Sequence, residues 1–159
     1  MGLRWAEVEA RTDQAVGVFC RQLEQGEHYV IGVLAFPQLP TLTGRSRAEV
    51  PELTEFPLAL AAATNQVFCF ADPATGQRQV QLPLAKLTGY QARGYGEAML
   101  MFDGPTPDVQ ATPALRLPPV LDMPAEMNAA AIGGFLSAIE EAWQNITGRP
   151  FDNQFPTRQ

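Results

Sequence analysis

Proline placement constrains this 159-residue chain more than any other feature of its sequence. All fourteen prolines lie between Pro37 and Pro124 or from Pro150 onward. Residues 1–36, 84–104 and 125–149 have none. Proline fixes φ and removes a backbone donor, which breaks helix interiors and central strands, so the proline-free stretches hold the most regular structure. In the first, Trp5, Val8, Thr12, Ala15, Val16, Phe19 and Leu23 recur at three- and four-residue spacing, with charged residues between them. That pattern predicts an amphipathic helix over 3–25, stopped by Gly26. The run from Tyr29 to Ala35 is apolar throughout and too short for a second helix, so it reads as a buried strand.

The last proline-free stretch carries a second helical stripe: Ile132, Phe135, Leu136, Ile139, Trp143 and Ile146. A helix over 124–147 follows, capped by Asp122 or Asn128, opened by Pro124 and ended by Gly148 and Pro150. Gly133 and Gly134 inside it each cost about 1 kcal/mol against alanine, which predicts that something packs close there. Glu140 and Glu141 read as its solvated face.

The middle of the chain, 28–120, reads as a β-meander. A strand over 58–64 meets the turn at Asn65-Gln66, and a second runs from Val67 to Ala71. In Asp72-Pro-Ala-Thr-Gly76, proline presets one dihedral and glycine supplies a left-handed position. Val80, Leu82 and Leu84 then alternate with polar residues, as do Ala98, Leu100 and Phe102. Gly89, Gly94 and Gly96 beside Tyr90 and Tyr95 lack the Lys-Ser/Thr of a phosphate loop, and read as a bulge or tight bend. Val109, Ala111, Leu115 and Leu117 share a face across Pro113, which predicts an edge strand or a bulge. The 37–56 segment, with Pro37, Pro40, Pro51 and Gly44, reads as a long loop of the kind that often carries function.

Taken in order, these elements predict one mainly β (α+β) domain: an antiparallel, partly open barrel of about seven strands, closed by a C-terminal amphipathic helix and preceded by an extra N-terminal one. This order resembles the pleckstrin-homology-like fold in its bacterial or GRAM-like form. The resemblance is strongest at Leu58-Ala-Leu-Ala-Ala-Ala-Thr64-Asn65-Gln66-Val67-Phe68-Cys69-Phe70, similar to that family's strand, Thr-Asn turn and apolar strand. Val80-Gln-Leu-Pro-Leu84-Ala-Lys86-Leu87-Thr-Gly89 is similar to its next strand and link. The resemblance implies a bacterial binding module that takes phosphoinositides through a basic first loop, or peptides along a sheet edge beside the terminal helix.

Charge narrows the functional classes. Eleven basic and seventeen acidic residues give a net charge of −6, with no cluster of Lys and Arg, which argues against nucleic acid and against an anionic membrane. No apolar run reaches the roughly twenty residues of a membrane span, and the first residues have no signal-like apolar core, so a cytoplasmic protein is expected. Cys20 and Cys69 sit in apolar runs as free thiols. His28, the single histidine, reads as a surface residue near the helix end, no Cys/His pair has zinc spacing, and no nucleophile motif is present. Neither a metal, a cofactor nor an enzyme activity is expected.

The expected function is therefore non-catalytic binding or assembly around a protein or peptide partner. It would use a sheet edge or the N-terminal helix face of Trp5, Val8, Phe19 and Leu23, which could equally form a homodimer. The alternative is a lipid or anion site at Arg45 and Arg47 of the 37–56 loop. A small-molecule pocket or enzyme is the remaining class. The tail over 150–159 carries Phe151 and Phe155, suited either to docking back on the domain or to serving as a recognition segment.

Overall fold

A computed structural model describes residues 3–38, 58–104, 106 and 109–152. Arg45 and Arg47, most of the 37–56 loop and the tail beyond Asp152 lie outside the described residues. The elements run α1 (Trp5–Cys20), β1 (Tyr29–Gln38), β2 (Ala59–Thr64), β3 (Val67–Ala71), β4 (Arg78–Pro83), a 3-10 turn (Leu84–Lys86), β5 (Leu87–Arg93), β6 (Glu97–Asp103), β7 (Gln110–Ala111), β8 (Ala114–Arg116) and α2 (Glu126–Thr147). The strands form one antiparallel sheet in the order β4-β3-β2-β1-β8-β6-β5, with β7 also on β6. β7 and β8 share one register against β6 (Phe102 opposite Ala111, Ala98 opposite Leu115) and are two parts of one strand. Pro113 interrupts it, yet its carbonyl still accepts from the Leu100 N–H at 2.9 Å. Among the described residues the sheet is thus seven-stranded and curled into a half-barrel. The proline lies in a strand flanked by β1 and β6, and the register runs unshifted across it, so neither the expected edge strand nor the expected bulge is found there.

β1 makes the corner. Its residues 29–35 pair with β2, and Phe36–Gln38 pair with β8, so the strand passes from one half-sheet to the other and outruns its expected end at Ala35. Inside the curl, Phe68, Phe70, Leu100, Phe102 and Leu115 surround Ile132, Phe135 and Ile139 of α2. Phe68 meets Phe70, Phe102 and Phe135 with ring centroids 5.3–6.4 Å apart, the range of favourable aromatic pairing.

α1 covers the outer face of the other half-sheet. Ala15 and Phe19 pack on Leu34, Leu60, Ala62, Cys69 and Ala71. Alternate residues of β2 therefore face α2 or α1, and all six are buried. A strand covered on both sides reads as an unbroken apolar run, and its alanines leave room for both helices. Burial raises the Cys69 thiol to about 12, while Cys20 is half-buried, and both are free. Since the thiolate is the reactive form, a thiol reagent such as DTNB should label Cys20 alone in the folded protein and both cysteines after denaturation. Two fast-reacting native thiols would contradict this packing.

Both helices differ from expectation at their ends. α1 stops at Cys20, and Arg21–His28 fold into turns with Gly26 at φ 81°. Asp122 caps α1: its Oδ1 accepts the Trp5 N–H at 2.8 Å. α2 starts without a side-chain cap, and Asn128 donates instead to the Pro118 carbonyl. The α2 stripe ends at Trp143, since Ile146 is exposed. Nothing packs within 4 Å of a Cβ placed at Gly133 or Gly134, which overturns the expected close contact. A glycine does approach α2 closely at Gly96 in the β5–β6 turn (φ 105°), where a Cβ would lie 3.0 Å from the Asn128 Cβ.

Candidate functional site

Three places gather side chains of chemical interest. The first is a clasp between the α1–β1 turn and the β2–β3–β4 meander. Glu27 accepts two N–H groups of Arg78 at 2.7 and 2.9 Å, the Thr64 hydroxyl at 2.9 Å and the Glu24 N–H at 2.9 Å. The Arg78 guanidinium lies 4.9 Å from the centre of the Phe19 ring. These bonds, the Arg78 contact above all, hold the Glu27 carboxyl down at about 2 against the opposing effect of burial. Next to it, Asn65 accepts the His28 N–H and donates to the Gly26 carbonyl, while His28 itself is exposed. Every lone pair that burial takes from water is given a donor, so this is a structural joint with no free group for chemistry.

The second is a groove where α2 and its C-terminal extension run beside β5. Among the described residues β5 pairs on one side only, with β6. Gly148 turns left-handed at φ 67° and returns the chain, so that Phe151 stacks on Tyr90 of β5 (5.6 Å, 6°) and meets Trp143 of α2 edge-on (5.1 Å, 75°). Arg149 lies over the same indole at 5.4 Å. The Tyr90 hydroxyl donates to Glu140 at 2.7 Å, and burial together with that carboxylate raises its pKa to about 12. Glu140 is thus engaged with the sheet and does not stand on a purely solvated face. A cavity of about 290 Å³ adjoins Trp143, Arg149, Phe151, Thr88 and Asp103. Among the described residues the buried Trp143 Nε1 has no hydrogen-bond partner.

The third is a cleft of about 190 Å³ between α1, β1 and the start of α2, with Trp5, Val8, Val33, Leu117, Val120 and Ala131 among its walls. It settles where the four expected interface residues of the N-terminal helix stand. Phe19 is wholly buried in its own chain and Leu23 half-buried on the same cluster, while Trp5 and Val8 line the cleft. Sequence periodicity placed these four on one stripe. What separates them is their cover: Phe19 is buried against Leu34, Leu60 and Ala62, whereas Trp5 and Val8 stand beside the open cleft.

Among the described residues no group of three or more His, Cys, Asp or Glu side chains is arranged to hold a metal ion. Among the same residues, no helix is long and apolar enough to cross a membrane. Tyr90 and Phe151 were not singled out together by the sequence; the signal was there only as an aromatic residue three positions beyond a helix-ending glycine. Compared with known proteins, the chain matches no family model and no curated protein.

Proposed function

We propose that this protein is a non-catalytic binding module of pleckstrin-homology-like build that takes up an extended segment of a partner protein along β5, beside α2. The observation that carries the reading is the seat of Phe151. An aromatic side chain reached by a short, mostly exposed piece of chain fills a slot between an edge strand and the terminal helix. An edge strand offers main-chain donors and acceptors to an added strand, and a side-chain slot beside it gives selectivity. The buried Trp143 Nε1 supports the reading further. An unpaired buried donor costs about 1–3 kcal/mol, and an incoming carbonyl or carboxylate would satisfy it.

On this reading Phe151 competes with the partner's aromatic residue. Full-length Phe151→Ala should fold with a loss of about 1–2 kcal/mol, the worth of its two aromatic contacts. It should also bind aromatic-containing peptides selected from a random display library about tenfold more tightly than the parent chain. Amide chemical-shift changes should fall on β5 and on the α2 residues around Trp143. Selected peptides that perturb other surfaces, or that bind the parent and the variant equally, would overturn the reading.

A further inference from the structure

We propose that the cleft between α1, β1 and the start of α2 is a binding site for a small organic ammonium ion: a protonated amine carrying a short apolar body. Its walls are apolar, from Trp5 and Val8 on the helix to Val33 and Leu117 on the sheet. The volume of about 190 Å³ falls below the roughly 300 Å³ at which drug-sized ligand pockets begin, which confines the occupant to a few carbons.

The polar side chains at the cleft fix the sign of the charge. They are Glu9, Thr12, Asp13 and Asn128. Glu9 and Asp13 stand one helical turn apart, so their carboxylates share a face of α1. Both are exposed, and among the described residues neither has an ion-pair partner. Thr12 gives its hydroxyl proton to the Val8 carbonyl at 2.6 Å, which leaves its oxygen as an acceptor. Asn128 gives Nδ2 to the Pro118 carbonyl at 3.0 Å, so its Oδ1 is the atom left to receive a proton donor. Among the described residues no Lys, Arg or His lines the cleft. An ammonium group has three donors and no acceptor, which matches acceptors supplied by two carboxylates, a hydroxyl and an amide oxygen. The Trp5 indole adds a face that attracts cations. A carboxylate ligand would gain the same walls against the repulsion of Glu9 and Asp13, and a neutral alcohol would gain the walls without the charge.

The test compares hexylammonium, hexanol and hexanoate against the full chain by two-dimensional amide and indole NMR. Hexylammonium should bind saturably, moving the Trp5 indole signal and the amides of Val8 and Val33, and about tenfold more tightly than hexanoate. That factor is what two exposed carboxylates supply on passing from attraction to repulsion. In the double variant Glu9→Gln/Asp13→Asn, whose positions are exposed and tolerate the change, the preference for the ammonium over hexanol should disappear while hexanol binding stays as it was. Equal binding of hexanoate and hexylammonium to the parent chain would overturn the proposal. So would a preference that survives in the double variant, or no saturable shift with any of the three.

Discussion

Arg78→Ala is expected to destabilise the protein by about 3–5 kcal/mol, the usual loss when one partner of a buried ion pair is removed. For a chain of this size that corresponds to a fall in melting temperature of about 10 °C. The size follows from what the substitution leaves behind. Glu27 has a side chain 1% exposed and Arg78 one 12% exposed, so the orphaned carboxylate stays out of water with only the Thr64 hydroxyl and the Glu24 N–H as donors. The Phe19 ring loses its guanidinium as well. Replacing both charges together, as Glu27→Leu/Arg78→Met, should recover much of the loss, because the cost lies in the unpaired charge more than in the absence of the pair.

The same joint sets a pH dependence. The folded state holds Glu27 at about 2, below its ordinary value of 4.5. A lowered carboxyl contributes stability that is complete above its unfolded value and drains away as pH falls toward the folded one. The parent chain should therefore lose stability between about pH 4.5 and 2. Arg78→Ala removes the main cause of the depression, so the gap between parent and variant should narrow steadily across that window. Thermal melts at pH 7, 4.5, 3 and 2 would decide it: a gap that does not change with pH would mean that Arg78 acts through packing on Phe19 and not through Glu27.

The sequence announces the turns around this joint but not the joint itself. Asp72 to Gly76 folds as its residues require, with the Asp72 carboxylate accepting the N–H groups of Ala74 and Thr75 and Gly76 at φ 75°. Thr64 and Asn65 likewise carry their turn in two adjacent side chains. Such information is local, and so are the alternation of β4 and the stripe of α2. Glu27 and Arg78 lie 51 positions apart, and Asp122 caps a helix that starts 117 positions earlier. Nothing in either neighbourhood signals the partner, so Glu27 resembles one more carboxylate near a helix end and Asp122 resembles a cap for the helix that follows it.

The candidate sites divide in the same way. Trp5 and Val8 are visible as apolar residues on a helix face, because periodicity alone marks them. Glu9, Thr12 and Asp13 supply acceptors from the same helix, but the cleft itself, and the Asn128 amide at it, need the return of Pro118 and Asn128 from the other end of the chain. The Tyr90–Phe151 stack depends on the left-handed turn at Gly148 sending the chain back along β5. The aromatic residue can be named from sequence, but its seat cannot.

Gly133→Ala and Gly134→Ala are each expected to stabilise the protein by about 1 kcal/mol, and together to raise the melting temperature by about 4–8 °C. Both residues lie in the middle of α2, both are exposed, neither has a positive φ, and a Cβ at either meets nothing within 4 Å. Alanine there removes conformational freedom from the unfolded chain and adds no strain to the folded one. Gly96→Ala makes the opposite control, since its φ of 105° and the Asn128 Cβ at 3.0 Å both resist a side chain. The buried stripe of α2 lies on the other side of the helix, where Ile132, Phe135, Leu136 and Ile139 hold its position in the half-barrel, so the gain should leave the Phe151 groove and the Trp5 cleft unchanged. Thermal melts of the two single variants and the double variant, read at several protein concentrations, test this directly. A loss of stability that grows with concentration would show that a second chain's backbone lies against these glycines in solution, and that the cost of keeping them in a helix is offset there.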